Sequence, residues 1–271
     1  MIRGLRLDRM SSNHIASARV GIAFLFLFVL FGVGTYFATD LSKFQERISS
    51  QEGRETLQGI TNPSQLEDAL RQHPSNNILR LMTKATKATD DARRAIERLS
   101  AQIEPAGLSK EINFDSASRN DLDAFRSDLR TAEANAAAFL PRYAAIFKTE
   151  HDQIENAALS LHVPKDIASP VLNGLTQRQA KALNAISVIL SARADYYRAY
   201  EKYLALLSNE FGSFKVVNGQ FVFPLQRTVE RYNAASGSMT VAARRVTDLE
   251  TDLKNQNRPL PEEWTQLTGA K

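Results

Sequence analysis

Twenty consecutive residues near the N-terminus, Val20 to Thr39, carry no charge, and Arg19 and Asp40 border them. As an α-helix that rises about 1.5 Å per residue, this run spans about 30 Å, which matches the hydrocarbon layer of a bilayer. The run therefore predicts one transmembrane helix, with the lipid bilayer as its partner. Every other segment has to be placed relative to this anchor.

A cleaved secretory signal is the alternative interpretation, because a basic leader precedes the apolar run. The apolar part of such a signal is usually about 7 to 15 residues long and ends in small residues. The present run is longer, and the bulky Tyr36 lies just before Ala38, where cleavage would have to occur. The sequence has no Cys, so it also lacks the residue that is acylated in lipoproteins. An uncleaved signal-anchor is therefore predicted.

The charges beside the anchor predict its orientation. Residues 1–19 contain four Arg and one acidic residue, whereas residues 40–58 contain three basic and four acidic residues. Since basic residues tend to remain on the cytoplasmic side, the N-terminus is expected there and the bulk of the chain in the periplasm. These features predict a single-pass protein of the bacterial inner membrane.

The remaining charges argue against nucleic acid as a partner. Of 34 Lys and Arg residues, four lie in the leader, and of 30 Asp and Glu residues, one lies there. The exported part is therefore nearly neutral, and it has no dense basic block that could follow a phosphate backbone. The absence of Cys is compatible with an oxidising compartment and excludes disulfides and thiolate chemistry.

The chain is expected to divide into five segments. These are a cytoplasmic basic tail (1–19), the transmembrane helix (20–39), a stalk (40–61), a helical domain (62–258) and a flexible tail (259–271). Asn62-Pro63 predicts the start of a short helix that ends before Pro74, with Asn62 as N-cap and Pro63 at the first helical position.

Apolar residues at steps of three and four predict four long helices after this short one. The first runs from Ile78 to Ile103. The second runs from Leu122 to Leu161, with a kink at Pro141, since proline cannot donate a helical hydrogen bond. The third runs from Leu175 to Phe211 and the fourth from Pro224 to Asn255.

The connections complete the predicted architecture. His162-Val163-Pro164 and Ser169-Pro170 indicate the turn before the third helix. Before the fourth helix, two β-prone segments flank Asn218-Gly219, a pair that favours a two-residue hairpin turn. The predicted fold is therefore all-α: one N-terminal transmembrane helix, then an elongated antiparallel four-helix bundle with a short β-hairpin between its last two helices. An extended hairpin formed by the first two long helices is the alternative.

The sequence contains no motif that indicates catalysis or a bound cofactor. HExxH, GxSxG, P-loop and GxGxxG patterns are all absent. His151 and Glu155 share one helix face beside Asp152, but a metal site needs further ligands from elsewhere, and a solvated face is the simpler interpretation. No catalytic, cofactor or metal residue is predicted, and the protein is not expected to be an enzyme.

Two groups of residues are candidates for an interaction surface. The first is the hairpin, with Lys215, Asn218, Gly219 and Gln220, which either connects two helices or presents a docking edge. The second is the tyrosine cluster on the third helix, which either packs against a neighbouring helix or meets a ligand or partner. Its candidate residues are Tyr196, Tyr200 and Tyr203.

The stretch from Phe211 to Asn233, FGSFKVVNGQFVFPLQRTVERYN, resembles a segment of a family of uncharacterised enterobacterial membrane-attached lipoproteins of unknown function. It shows the order Val-x-Asn-Gly-x-Phe, then Phe-Pro, then Tyr-Asn. His162 to Asp166 is similar to a second short piece of that family. The present chain departs from it in having no acylated Cys. The resemblance implies an envelope protein with a helical fold and no activity that could be carried over.

Two functions follow as hypotheses. The first is a non-enzymatic, membrane-anchored periplasmic protein that acts as a structural or interaction module of the cell envelope, through an envelope protein partner or self-association. The second is a sensory bundle that binds a small molecule between its helices near the tyrosines. The 19-residue cytoplasmic tail is too short to fold into a signalling output domain.

Overall fold

The computed structural model describes residues 60, 63–109, 112–217 and 219–256. The predicted basic tail, the transmembrane helix Val20 to Thr39, nearly all of the stalk, Asn218 and the tail 259–271 lie outside the described residues. Among the described residues, no helix combines the length and the apolarity that crossing a bilayer requires. The anchor therefore remains a prediction from the sequence.

The described chain is mostly helical and carries one small sheet, which confirms the predicted class at this level. Its helices in chain order are α1 (Pro63–Gln72), α2 (Asn77–Ser100), α3 (Arg119–Ala138), α4 (Leu140–Ser160), α5 (Lys165–Asn209) and α6 (Gln226–Gln256). A 3₁₀ turn (Ala106–Ser109) lies between α2 and α3, and strands β1 (Lys215–Val217) and β2 (Gln220–Val222) lie between α5 and α6.

The helices begin where the sequence offers caps. The Asn76 side chain accepts hydrogen bonds from the backbone N–H groups of Ile78 and Leu79 and so caps α2. Ser118 and Asp121 form a reciprocal capping box at the start of α3. The prediction that α2 reaches Ile103 was three residues too long, because the chain turns after Ser100 and buries Ile103 in that turn.

Pro141 has a larger effect than the predicted kink. The hydrogen-bonded ladder breaks at Phe139, so the second predicted helix is two helices, α3 and α4. Phe139 keeps helical torsions, with φ −84° and ψ −20°, and Pro141 occupies the first turn of α4. The break arises because Pro141 has no N–H to donate to the preceding turn.

The predicted turn at Ser169-Pro170 was wrong. Pro170 lies inside α5, which begins ten residues earlier than expected and spans 45 residues. Pro170 lies near the start of this helix, where its missing N–H leaves only the carbonyl of Asp166 without its helical donor. The turn is confined to residues 161–164, where Val163 donates to the Ala158 carbonyl at 3.0 Å and His162 adopts a φ of +52°.

Neighbouring helices are antiparallel, as their side-chain contacts show. Between α2 and α4, Thr89 Oγ1 donates to Glu150 Oε1 at 2.7 Å. Between α3 and α5, Arg119 reaches the carbonyl of Ser208, whereas Arg198 near the middle of α5 reaches Glu133. α6 packs along the C-terminal half of α5 in the same antiparallel sense.

Helix α2 packs on α4, whereas α6 packs on the C-terminal half of α5. The base half contains α1, most of α2, the end of α4 and the start of α5, around Ile60, Leu79, Ile154 and Ile167. The hairpin half contains α3, the rest of α5, α6 and the sheet, around Leu129, Leu204 and Phe223. In the part of the chain that the structure describes, two buried clusters therefore follow each other along α5.

Candidate functional site

The hairpin is a two-stranded antiparallel ribbon with a two-residue connection. Lys215 pairs with Val222, Val216 with Phe221, and Val217 with Gln220. Gly219 has a φ of +74°, a conformation that glycine adopts without the cost that a Cβ imposes. Asn218, the other turn residue predicted from the sequence, lies outside the described residues.

The inner side of the ribbon closes the end of the hairpin half. The Phe221 ring lies 5.4 Å from Phe114, 5.2 Å from Phe214 and 5.5 Å from Tyr232, measured between ring centroids. Phe223 is buried and lies 5.2 Å from the same Tyr232. Tilted and edge-on aromatic pairs at these distances are favourable, so the ribbon is fixed to α6 and to the loop before α3.

The outer side of the ribbon is exposed. Val217 and Val222 keep 49% and 52% of their surface accessible, and Lys215 and Gln220 are exposed beside them. The sheet has two strands in the part of the chain that the structure describes, so the outer edges of β1 and β2 are not paired with a further strand there. Three of the four hairpin candidates, Lys215, Gly219 and Gln220, thus lie together on an accessible surface.

The tyrosine candidates occupy a different environment. Tyr200 and Tyr203 are buried, and only Tyr196 is partly accessible. Tyr203 packs on Tyr232 with ring centroids 5.6 Å apart, and burial raises the pKa of its hydroxyl. Tyr200 and Tyr203 therefore do not belong to an accessible interaction surface, because α3 and α6 cover that side of α5.

A buried charged cluster in the hairpin half was not singled out from the sequence. Arg193 on α5 is 1% exposed, and its Nη2 donates to Glu250 Oε1 on α6 at 2.9 Å. One turn further along α5, the Tyr197 hydroxyl donates to the carboxylate of Glu104, just beyond α2. Burial raises the pKa of Tyr197, so it acts as a neutral donor.

Arg193 and Glu250 are the directly bonded opposite charges of this cluster, and the Glu104 carboxylate lies within electrostatic reach of both. Burial raises the pKa of the Glu250 carboxyl, and the positive charge of Arg193 opposes that effect. Arg193 occupies a position in the apolar repeat of α5, between Leu190 and Tyr197, and that interruption is the signal that could have identified it.

A second buried carboxylate joins three helices of the base half. Glu150 on α4 accepts hydrogen bonds from Thr89 on α2 and, at 3.0 Å, from Gln179 on α5. Gln179 also donates to the Phe147 carbonyl at 2.9 Å. These contacts are structural, because every donor comes from a helix of the bundle itself.

His151, Asp152 and Glu155 bring their ligand atoms within 4.8 Å of one another. All three lie on α4, and Asp152 is bound to Lys148 at 2.5 Å. A cation site normally draws ligands from more than one element, so this arrangement carries no metal assignment.

Comparison of the chain with protein-family models, with curated proteins and with solved structures yields no match. The resemblance to the membrane-attached lipoproteins therefore stays a prediction, and the function has to be argued from the molecule.

Proposed function

We propose that the protein is a non-enzymatic, membrane-anchored periplasmic module of the cell envelope that holds a docking surface away from its membrane. The proposal combines the predicted anchor with the observed positions of the two ends of the domain. The proposal also includes the architecture expected from the sequence, an elongated antiparallel four-helix bundle.

The observation that carries the proposal is the separation between the chain entry and the hairpin. Ile60, where the described chain begins, is buried in the base half. The hairpin lies at the other end of α5, and the 40 positions from Ile167 to Leu207 correspond to about 60 Å of helix. A helix anchored in a bilayer before residue 40 would therefore enter the domain at the end opposite the hairpin.

The outer side of the hairpin supports a docking role. Its two exposed valines supply apolar contact area, and its free strand edges supply backbone donors and acceptors for an added strand. Lys215 and Gln220 supply polar groups that could orient a partner.

Capture of partners from solubilised membranes tests the docking role. We expect a full-length variant carrying Val217→Asp and Val222→Asp to lose a partner that the wild type retains, while its melting temperature stays within noise. Leu159→Asp is the matched control, because Leu159 is 69% exposed at the base end. If the hairpin variant retains the partner, the hairpin is not a docking surface and only covers the end of the bundle.

Protease protection tests the anchor and its orientation. Protease added to spheroplasts should digest the domain and leave a fragment of about 40 residues that spans the predicted anchor. A reporter enzyme that is active only after export should be active when it is fused after Lys271. A cytoplasmic C-terminus would overturn the proposed location without bearing on the docking surface.

A small-molecule sensor is the second candidate, and the charged cluster at Arg193 is the observation that favours it. A guanidinium, two carboxylates and tyrosine hydroxyls lie together between helices, as in polar ligand sites. If the protein is a sensor, the double variant Arg193→Met with Glu250→Met, in which two apolar residues replace the buried ion pair, should abolish its cellular function while the hairpin variant keeps it. The docking proposal expects the hairpin variant to lose the cellular function and the variant at Arg193 to keep it.

A further inference from the structure

Helix α6 has two distinct faces. Its inner face packs on α5 through Met239, Val246 and Glu250, which are buried. On the other side, a row of exposed residues falls within about 100° of the helix circumference, given about 100° of rotation per residue. We call this row the outer stripe; it comprises Arg227, Glu230, Ala234, Gly237, Ser238, Val241, Arg245, Asp248 and Asp252.

Between Arg227 and Asp248, the charges of the outer stripe are complementary to themselves when reversed. From its N-terminal end, this segment carries a positive residue and a negative one, then an uncharged centre, then again a positive and a negative one, and Asp252 lies beyond it. A second α6 laid antiparallel, with the midpoint between Gly237 and Ser238, brings Arg227 opposite Asp248 of the second copy. The same register brings Glu230 opposite Arg245. A parallel arrangement would instead place equal charges opposite each other.

The centre of the stripe suits close contact between two helices. In the antiparallel register Ala234 faces Val241 of the second copy, and Gly237 faces Ser238. Val241 is 71% exposed in the single chain. A Cβ added at Gly237 would meet nothing within 4 Å, so packing within the chain does not require a glycine there. Glycine inside a helix lowers stability relative to alanine. At Gly237 the missing side chain would allow the backbone of a second α6 to approach closely.

Contacts within the chain leave the stripe available. Arg245 Nη1 lies 3.4 Å from Asp195 Oδ2, but both side chains are about half exposed. Glu230 accepts a hydrogen bond from Gln226 at 3.3 Å. Arg231 and Arg244 lie on opposite margins of the stripe. The two-fold axis is perpendicular to both helices, so the margin that carries Arg231 lies beside the Arg231 margin of the second copy. Arg231 therefore does not approach Arg244 of the second copy, which lies on the other side of the interface.

We propose that the protein forms a homodimer by antiparallel pairing of α6 with α6 of a second copy through the outer stripe. The interface is isologous, so each charge pair occurs twice around one two-fold axis. One helix pair buries less than a standard protein interface, so the dimer depends on concentration and on salt.

This inference goes beyond the docking function and does not rest on it. The two-fold axis is perpendicular to α6, so the N-terminal ends of the two domains point in opposite directions.

Charge reversal in the full-length protein tests the pairing. Light scattering after size-exclusion chromatography in detergent should show a wild-type dimer that dissociates on dilution and in high salt. Glu230→Arg alone and Arg245→Glu alone should each weaken it about tenfold or more, since each variant places two like-charged pairs in the interface. The double variant should dimerise again, and the two single variants mixed together should form a heterodimer.

Two substitutions serve as controls for charge and for helix propensity. Lys87→Glu on α2, an exposed charge far from α6, should leave the dimer unchanged. Gly237→Leu should abolish the dimer, whereas Gly174→Leu in α5 should not, although neither glycine has a neighbour within 4 Å of an added Cβ. Circular dichroism should show folded protein in every case.

Three results would overturn the proposal. They are a wild type that stays monomeric at its solubility limit, single reversals that dimerise as the wild type does, or a mixture of the two reversals that stays monomeric. None of these results bears on partner capture by the hairpin, so the two proposals fail separately.

Discussion

Replacement of Arg193 by Met should strongly destabilise the domain. The guanidinium of Arg193 is 1% exposed, and its Nη2 lies 2.9 Å from Glu250, which is 9% exposed. Met has a similar length and no charge, so packing along α5 is largely kept. The carboxylate of Glu250 is left buried without the cation that offsets its desolvation.

The size of the effect follows from this burial. Removal of one member of a buried ion pair typically costs about 3 to 5 kcal/mol, because the remaining charge stays out of water. Arg198→Met is a matched control on the same helix. Arg198 pairs with Glu133 at 2.8 Å but is 51% exposed, and exposed pairs contribute about 0 to 1 kcal/mol.

Chemical denaturation followed by far-UV circular dichroism measures both variants. For a domain of this size, a loss of about 3 to 5 kcal/mol corresponds to a fall in melting temperature of about 6 to 20 °C. The double variant Arg193→Met with Glu250→Met should recover most of the loss, since two apolar residues replace the pair.

The pH dependence gives a second measure of the same contact. Burial raises the pKa of Glu250 and Arg193 opposes the rise, so removal of Arg193 moves this pKa further above the ordinary value of 4.5. A group with a raised folded pKa stabilises the fold at low pH and loses that contribution as the pH rises through the folded pKa. The destabilisation of Arg193→Met should therefore shrink as the pH falls through the raised pKa of Glu250. Equal losses for the Arg193 and Arg198 variants, independent of pH, would refute this reasoning.

Three further predictions concern backbone geometry and caps. Gly219→Val should destabilise the domain by about 1 to 2 kcal/mol, because a β-branched residue resists a φ of +74°; an unchanged denaturation midpoint would contradict this. His162→Gly should stabilise it by about 0.5 to 1 kcal/mol, since His162 closes α4 at a φ of +52°, and a lower melting temperature would count against that account. Ser118→Ala should cost about 1 kcal/mol by removing the cap of α3. Hydrogen bonds from Ser118 lower the pKa of Asp121 below 3.8, so the difference between this variant and the wild type should be present at neutral pH and fade in acid, which a pH series of melts would show.

Local patterns in the sequence predicted the elements well because they reflect the nearest neighbours along the chain. The apolar repeat from Ile78 onwards predicted α2, and Asn218-Gly219 predicted a two-residue hairpin between Val217 and Gln220. The helix ends were less well predicted. Pro170 is accommodated inside α5 and Pro141 breaks a helix, and the difference depends on which backbone groups the surrounding structure can satisfy.

In the candidate site, too, local sequence patterns predicted some features and tertiary packing decided the others. The exposed outer side of the hairpin follows from strand alternation, so Lys215 and Gln220 could be placed from the sequence. The burial of Tyr200 and Tyr203 could not be predicted from the sequence. The spacing of four neighbouring tyrosines is compatible with a buried or an exposed location, and the packing of α3 and α6 decides between them.

By itself, the sequence determined the helical class, the hairpin and the prediction of an anchor at Val20 to Thr39. Only the tertiary structure decided that α2 packs on α4 while α6 packs on α5, and that Arg193 is buried against Glu250. Helix periodicity specifies which face of a helix is apolar, but not which partner covers it or for how many turns. That pairing depends on contacts between residues far apart in the chain, such as Arg193 with Glu250 and Tyr197 with Glu104.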